Sequence, residues 1–292
     1  HWATSVGKVN FALPMFIQNK TLRTHALGNF KDMSRAMIND SALQFWLDGQ
    51  DSTLKSPNEN LGRELMELFV LGVDRYTEDD VKGAARALTG YQVVNYEGSL
   101  TFNPKRHDPN PIAILGATQP FTGEQLSDFL VAREDCATFI AERLWYRFIS
   151  STETMPASFG AKKAFATRDI SSAVKAMVQD PAVGDAKNDL VKSPVEWFIA
   201  ACRALELTPS NLKTPAQLIN YLNQLNQVPF SPPNVGGWPA GEAWLSSAAV
   251  QYRIAFATWL IKQSSLRGLL EIPVANRPMK SADWLGVAEW SP

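Results

Sequence analysis

Glu64 and Glu67 stand three residues apart in a segment, Asn58 to Leu71, whose other residues read as a helix. With Asn60 they are spaced i, i+4, i+7, which places all three on one helical face. Two neighbouring carboxylates can divide acid and base roles, because like charges drive their proton affinities apart. They can equally act as hard ligands for a divalent metal. A plainer reading stands beside these. Glu59, Arg63 and Glu67 form an overlapping stripe, so Arg63, or Arg86 further on, can neutralise the glutamates on a solvated face. The Glu-x-x-His helices that complete a di-iron carboxylate site are absent from the sequence.

The chain has three histidines, His1, His25 and His107. His107-Asp108 precedes Pro109-Asn110-Pro111, so it sits on a loop on which a site can be mounted. Glu64, Glu67, His107 and Asp108 are therefore the catalytic candidates. His1 and His25 are candidate metal ligands, with a buried or capping role as the alternative for each. A second constellation lies at 229–244, which carries four prolines and three glycines and so is neither helix nor central strand. It presents Asn234, Trp238, Glu242 and Trp244. Exposed aromatic rings beside amides and carboxylates suit stacking on sugar rings or holding an extended peptide. The alternative is that the tryptophans plug a core from a rigid loop. There is no Gly-x-Ser-x-Gly, phosphate-binding loop or dinucleotide fingerprint, so no nucleotide cofactor is expected, while a divalent metal stays open.

Composition narrows the partners. Over 292 residues, 28 Lys+Arg against 29 Asp+Glu give a formal net charge of −1, which argues against nucleic acid as the main partner. Apolar residues make up 45%, enough to build a core. Cys136 and Cys202 are too few for a disulfide framework and each falls in an apolar helical pattern, which reads as two packed thiols, with a single mutual disulfide as the alternative. No apolar run is long enough to span a membrane as a helix.

The elements that must position these residues are mostly helical. Pro14 opens a helix running to about Ala26, with Gly28 as its stop. Phe30, Met33 and Met37 form one buried stripe. In the 58–71 helix Leu61, Leu65, Leu68 and Phe69 define the apolar side, and Gly72 closes it. Thr77 caps a further helix that ends at Leu88-Thr89-Gly90, with Glu78, Asp79 and Asp80 in its first turn. The period then changes: 91–96 and 99–103 read as a β-hairpin, and 112–116 as a third short strand. Capping boxes are expected at Thr122/Gln125, Ser193/Glu196 and Thr214/Gln217, and long amphipathic helices at 134–149 and 248–263. The fold class is thus mainly α, a multi-helix domain over 1–265 with a small β-hairpin insertion near 91–116 and an irregular tail at 266–292. Glu64 is expected to be partly buried and paired with Arg63 or Arg86. Residues 1–5 are expected to pack into the domain, with Trp2 and Val6 as a one-sided anchor.

Several blocks carry a family resemblance. Asn58 to Gly72, Tyr76 to Val81, Ala84 to Gly90, His107-Asp108, Lys192 to Glu196 and Pro232 to Pro239 occur in that order. Together they resemble a large bacterial family known as domain of unknown function 1800. His1 to Ser5 is similar to the end of a further family block, and His25 to Phe30 to another. The likeness runs to about residue 260. It implies an exported protein of the periplasm, cell surface or medium. It also implies a further N-terminal helical stretch of the family unit ahead of His1. It implies no defined activity. Two functional expectations follow. One is a hydrolase or lyase acting on an extracellular polysaccharide or peptide through the carboxylate/histidine site. The other is a non-catalytic surface-assembly or binding module using the Pro/Gly/Trp loop.

Overall fold

The computed structural model describes residues 1–94, 98–185, 187–188, 190–264 and 270–280. The chain is mainly helical (57%), as the sequence pattern predicts, and among the described residues strand is confined to two small antiparallel pairs. Within the expected single domain over 1–265, the packing divides into two compact units. One comprises 1–189 with 230–238, the other 190–229 with 239–292. The expected tail at 266–292 lies largely outside the described residues; its described part carries a short 3-10 turn, Val274–Asn276.

The first unit begins with α1 (Val6–Val9), α2 (Ala12–His25), α3 (Phe30–Ile38) and α4 (Ser41–Trp46). Then comes α5 (Glu59–Glu64), capped by the Asn58 side chain. It continues directly into a wider π turn, Leu65–Val70. Helix α6 (Glu78–Ala87) starts on a full capping box between Thr77 and Asp80. Gly62 brings the two helices together: a Cβ there would lie 3.0 Å from the backbone nitrogen of Ala85. Leu61, Leu65 and Phe69 are buried as expected, and Met66, Val70 and Leu71 join them.

Strands β1 (Tyr91–Val94) and β2 (Ser99–Phe102) pair with Tyr91 opposite Phe102. The expected third strand is instead one arm of a separate hairpin, β3 (Ile112–Ile114) with β4 (Ala117–Gln119). Ile112 and Ile114 face inward and Ala113 outward, so the period of two holds over even three residues. Four helices follow: α7 (Gly123–Ala132), α8 (Glu134–Phe148), α9 (Ala161–Ala164) and α10 (Ile170–Val178). The Thr122/Gln125 capping box is formed.

Residues 1–5 pack as expected, with the Trp2 ring tilted against Phe69 at 4.4 Å between centres and Thr4 and Ser5 buried. The anchor is Trp2 alone, however. Val6 is exposed, because the helix starts only at that residue and no helical spacing relates it to Trp2.

The second unit holds α11 (Pro194–Ala204), α12 (Pro215–Gln224) and α13 (Ser247–Ile261). Phe256 is its centre, stacked on Tyr221 at 4.6 Å and on Phe198 at 5.3 Å. The Ser193/Glu196 capping box and both first-position prolines are present. The Thr214 cap is not: its backbone (φ −134°, ψ 77°) makes no side-chain cap bond, and Pro215 alone opens the helix.

Candidate functional site

Two cavities in the first unit share a wall. The smaller, of about 230 Å³, is lined by His1, Glu67, Leu68, Val73, Phe139, Arg143 and Gly236. The larger, of about 380 Å³, runs from Phe139 and Arg143 past Glu142 and Tyr146 to Ser150, Glu153 and Met155. Phe139 and Arg143, one turn apart on α8, border both.

The π turn sets the floor of the smaller cavity. Leu71 N and Gly72 N both donate to Met66 O, at 2.9 and 3.0 Å. Gly72, at φ +93°, then ends the helix, and the Phe69 carbonyl takes its bond from outside: His1 Nε2 donates to it at 2.7 Å. A carbonyl only accepts, so Nε2 carries the proton and, in the neutral ring, Nδ1 is the free base. Such π turns recur at functional sites.

Glu67 projects from this turn. Its Oε2 accepts from Tyr76 OH at 2.5 Å, a charge-assisted bond. Burial, and then the bond to Glu67, hold the Tyr76 phenol well above its ordinary pKa, so it stays a donor. Glu64 is half-buried. Burial first, then the charge of Glu67, push its pKa up, against a pull from Arg63. The expected arginine partner of Glu64 is spoken for elsewhere. Arg63 forks onto Glu78 at 2.7 and 2.8 Å and reaches Glu59 at 3.2 Å, while Arg86 pairs with Asp108.

Arg143 lines the same cavity as Glu67 without forming an ion pair with it. Among the described residues no carboxylate pairs with Arg143, and its Nε is buried without a hydrogen-bond partner. Its guanidinium lies 5.4 Å from the Tyr146 ring centre, and that of Arg147 lies 5.5 Å from the same centre. Burial, then the Arg147 charge, lower the pKa of Arg143. Arg147 donates to the Trp238 carbonyl at 2.7 Å, and Val6 N donates to Phe230 O at 2.9 Å. These bonds fasten segment 230–238, with Gly236, over the cavity. Asn234 Oδ1 holds the turn by accepting from Gly236 N.

The other sequence candidates lie apart. His107 Nδ1 sits 3.2 Å from Thr89 Oγ1, with its ring against Phe102. Asp108 is buried, accepts from Arg86 Nε at 2.6 Å and from the Asn110 backbone and side chain. Desolvation opposes its charge, but the Arg86 and Asn110 bonds win and hold its pKa below the usual carboxylate range. Neither lines either cavity. Trp238 is half-buried and Trp244 buried, so the loop offers no open stacking ring from them; Glu242 and Trp244 belong to the second unit. Among the described residues no three His, Cys, Asp or Glu side chains converge as a metal site requires. His25 lies at the last turn of α2, and His1 serves the cavity.

The motifs that build this floor and loop also decide the family. The chain matches the protein family of unknown function DUF1800 over residues 1–287. The chain belongs to the DUF1800 family. The match runs past the likeness legible in the sequence, which reached about residue 260, and takes in α13 and most of the residues after it. No curated protein and no solved structure matches this DUF1800 chain. Tyr76, Phe139 and Arg143 were not legible as cavity residues. A signal for the last existed: Arg143 and Arg147 are like charges at i, i+4, an unfavourable spacing unless something else uses them.

Proposed function

We propose that this DUF1800 protein is an exported hydrolase or lyase acting on an extracellular polymer, with Glu67 as its acid/base group. The observation carrying this is that Glu67 and Arg143 line one cavity without pairing with each other. Charges that served only stability would pair, since an uncompensated buried charge costs several kcal/mol. Tyr76 orients Glu67, and burial together with the Glu67 charge raises the proton affinity of Glu64 beside it. The imidazole of His1 supplies a second group able to move a proton. Export is supported by the family resemblance.

The test is turnover of bacterial and plant polysaccharides and of peptides, followed by new reducing ends, amines or unsaturated products. Glu67→Gln keeps an acceptor for Tyr76 and should leave the melting temperature within a degree or two while cutting turnover at least 100-fold. A protein that binds a polymer equally well as wild type and Glu67→Gln, and turns over none, is instead a binding module.

A further inference from the structure

Resting on that reading of the cavity, we infer that the substrate is an acidic oligosaccharide, held by a sugar carboxylate on Arg143 and a neighbouring hydroxyl on Glu67.

Three observations carry this. The first is charge. Arg143 is half-buried, has Arg147 as its near charge, and has no carboxylate partner among the described residues. Glu142, the acid on its own helix one residue away, is held by both oxygens at 3.0 Å on Arg75. Glu153, the other acid on the larger cavity, is exposed. An anion entering the smaller cavity thus meets an arginine fork not already filled, and carboxylate matches that fork in plane and spacing. Glu67, a carboxylate lining the same cavity, accepts rather than donates, so the same unit must also bring a hydroxyl.

The second is size. The smaller cavity has room for about seven or eight waters at roughly 30 Å³ each, a single compact unit. Alone it falls below the roughly 300–1,000 Å³ of ligand pockets, whereas with the larger cavity it falls inside. The shared wall at Phe139 and Arg143 makes two adjoining subsites, as a chain of repeating units requires.

The third is wall chemistry. Phe139 presents an aromatic ring to both cavities, a surface on which a sugar ring stacks. Among the described residues no lining residue comes from a strand, so these walls offer no sheet edge of the kind by which extended peptides commonly dock.

The experiment is binding of the full chain to an array of acidic and neutral oligosaccharides of matched length, with acidic peptides alongside. Hits are then titrated by calorimetry at two salt concentrations. Expected is binding confined to carboxylated oligosaccharides, at least tenfold tighter than their neutral counterparts. Arg143→Gln should erase that preference, Arg143→Lys keep part of it, and melting curves confirm that both fold. Equal binding of neutral and acidic members, binding of acidic peptides only, binding of none, or an Arg143→Gln variant that still prefers acids overturns it. Glu67→Gln separates this from the catalytic reading: it should keep the preference for acids while losing turnover. Loss of turnover without any acidic preference leaves the catalytic reading standing and sinks this one.

Discussion

Asp40 makes the stability of this protein depend on pH in a direction opposite to that of most carboxylates. It caps α4, its Oδ1 accepting from Leu43 N and from Gln18 Nε2, each at 2.7 Å. Gln18 in turn accepts from Thr4, so a buried polar relay ties residue 4 to the start of α4. Burial dominates, and outweighs the bonds from Leu43, Gln18 and Ala42: the pKa rises from 3.8 to about 6. A raised carboxyl pKa means that the folded state holds the proton more tightly than the unfolded chain. The associated stability is fully present below about pH 4 and is lost as pH rises through about 6. Two units correspond to about 3 kcal/mol at 1.36 kcal/mol each, a sizeable share of a typical 5–15 kcal/mol.

Asp40→Asn removes the titration while keeping the cap, since Asn and Asp are about equal at this position. The two proteins should be equally stable near pH 4, where Asp40 is protonated. The variant should gain up to about 3 kcal/mol by pH 7. Urea unfolding followed by circular dichroism at half-unit intervals from pH 4 to 8 reads the difference. Asp40→Ala, which loses the cap, should instead cost about 1 kcal/mol at pH 4. A difference between wild type and Asp40→Asn that stays flat across this range, or that favours wild type increasingly as pH rises, would refute the argument from burial.

Three further expectations are cheaper. Gly72→Ala should destabilise by at least about 1 kcal/mol, since φ is +93° and a Cβ would lie 2.8 Å from Phe139; a thermal melt checks it, and an unchanged melting temperature refutes it. Asp108→Ala should cost less than the roughly 3–5 kcal/mol of a fully buried pair, because Arg86 is partly in water, and should leave turnover at the Glu67 cavity unchanged. Cys136 and Cys202, buried and with pKa values pushed up to about 12 and 11 by desolvation, should resist a thiol reagent at pH 8 until urea is added.

What the sequence made legible is local. The Thr77, Thr122 and Ser193 starts were readable because a cap is chemistry within four residues, and the strands because alternation shows over three or four. Thr214 had the same signature and failed, since its backbone turns the hydroxyl out of reach. The cavity was not readable as a whole. It needs residue 1, the end of the α5 segment, the middle of α8 and residue 236 to meet, and no periodicity encodes such convergence. His107 and Asp108 lie apart from it: an adjacent pair on a loop suits catalysis by type, while here Asp108 pairs with Arg86 and the His107 ring sits against Thr89.

Arg63 shows why Glu67 is left for chemistry. On a continuous α-helix it has glutamates at both i−4 and i+4, of which the first, N-terminal to the arginine, is the better placed. It binds Glu59, four residues back within α5, and not Glu67, four residues on across the π turn. The wider turn rotates Glu67 off the Asn60–Glu64 stripe and out of reach of the arginine, toward Tyr76 and the cavity. Both terminal nitrogens of Arg63 also bond Glu78, clamping α5 to the start of α6. The backbone widening therefore does two things at once: it frees one carboxylate from a surface ion pair, and it leaves the Phe69 carbonyl, at the end of the same turn, to fix the ring of His1 beside that carboxylate.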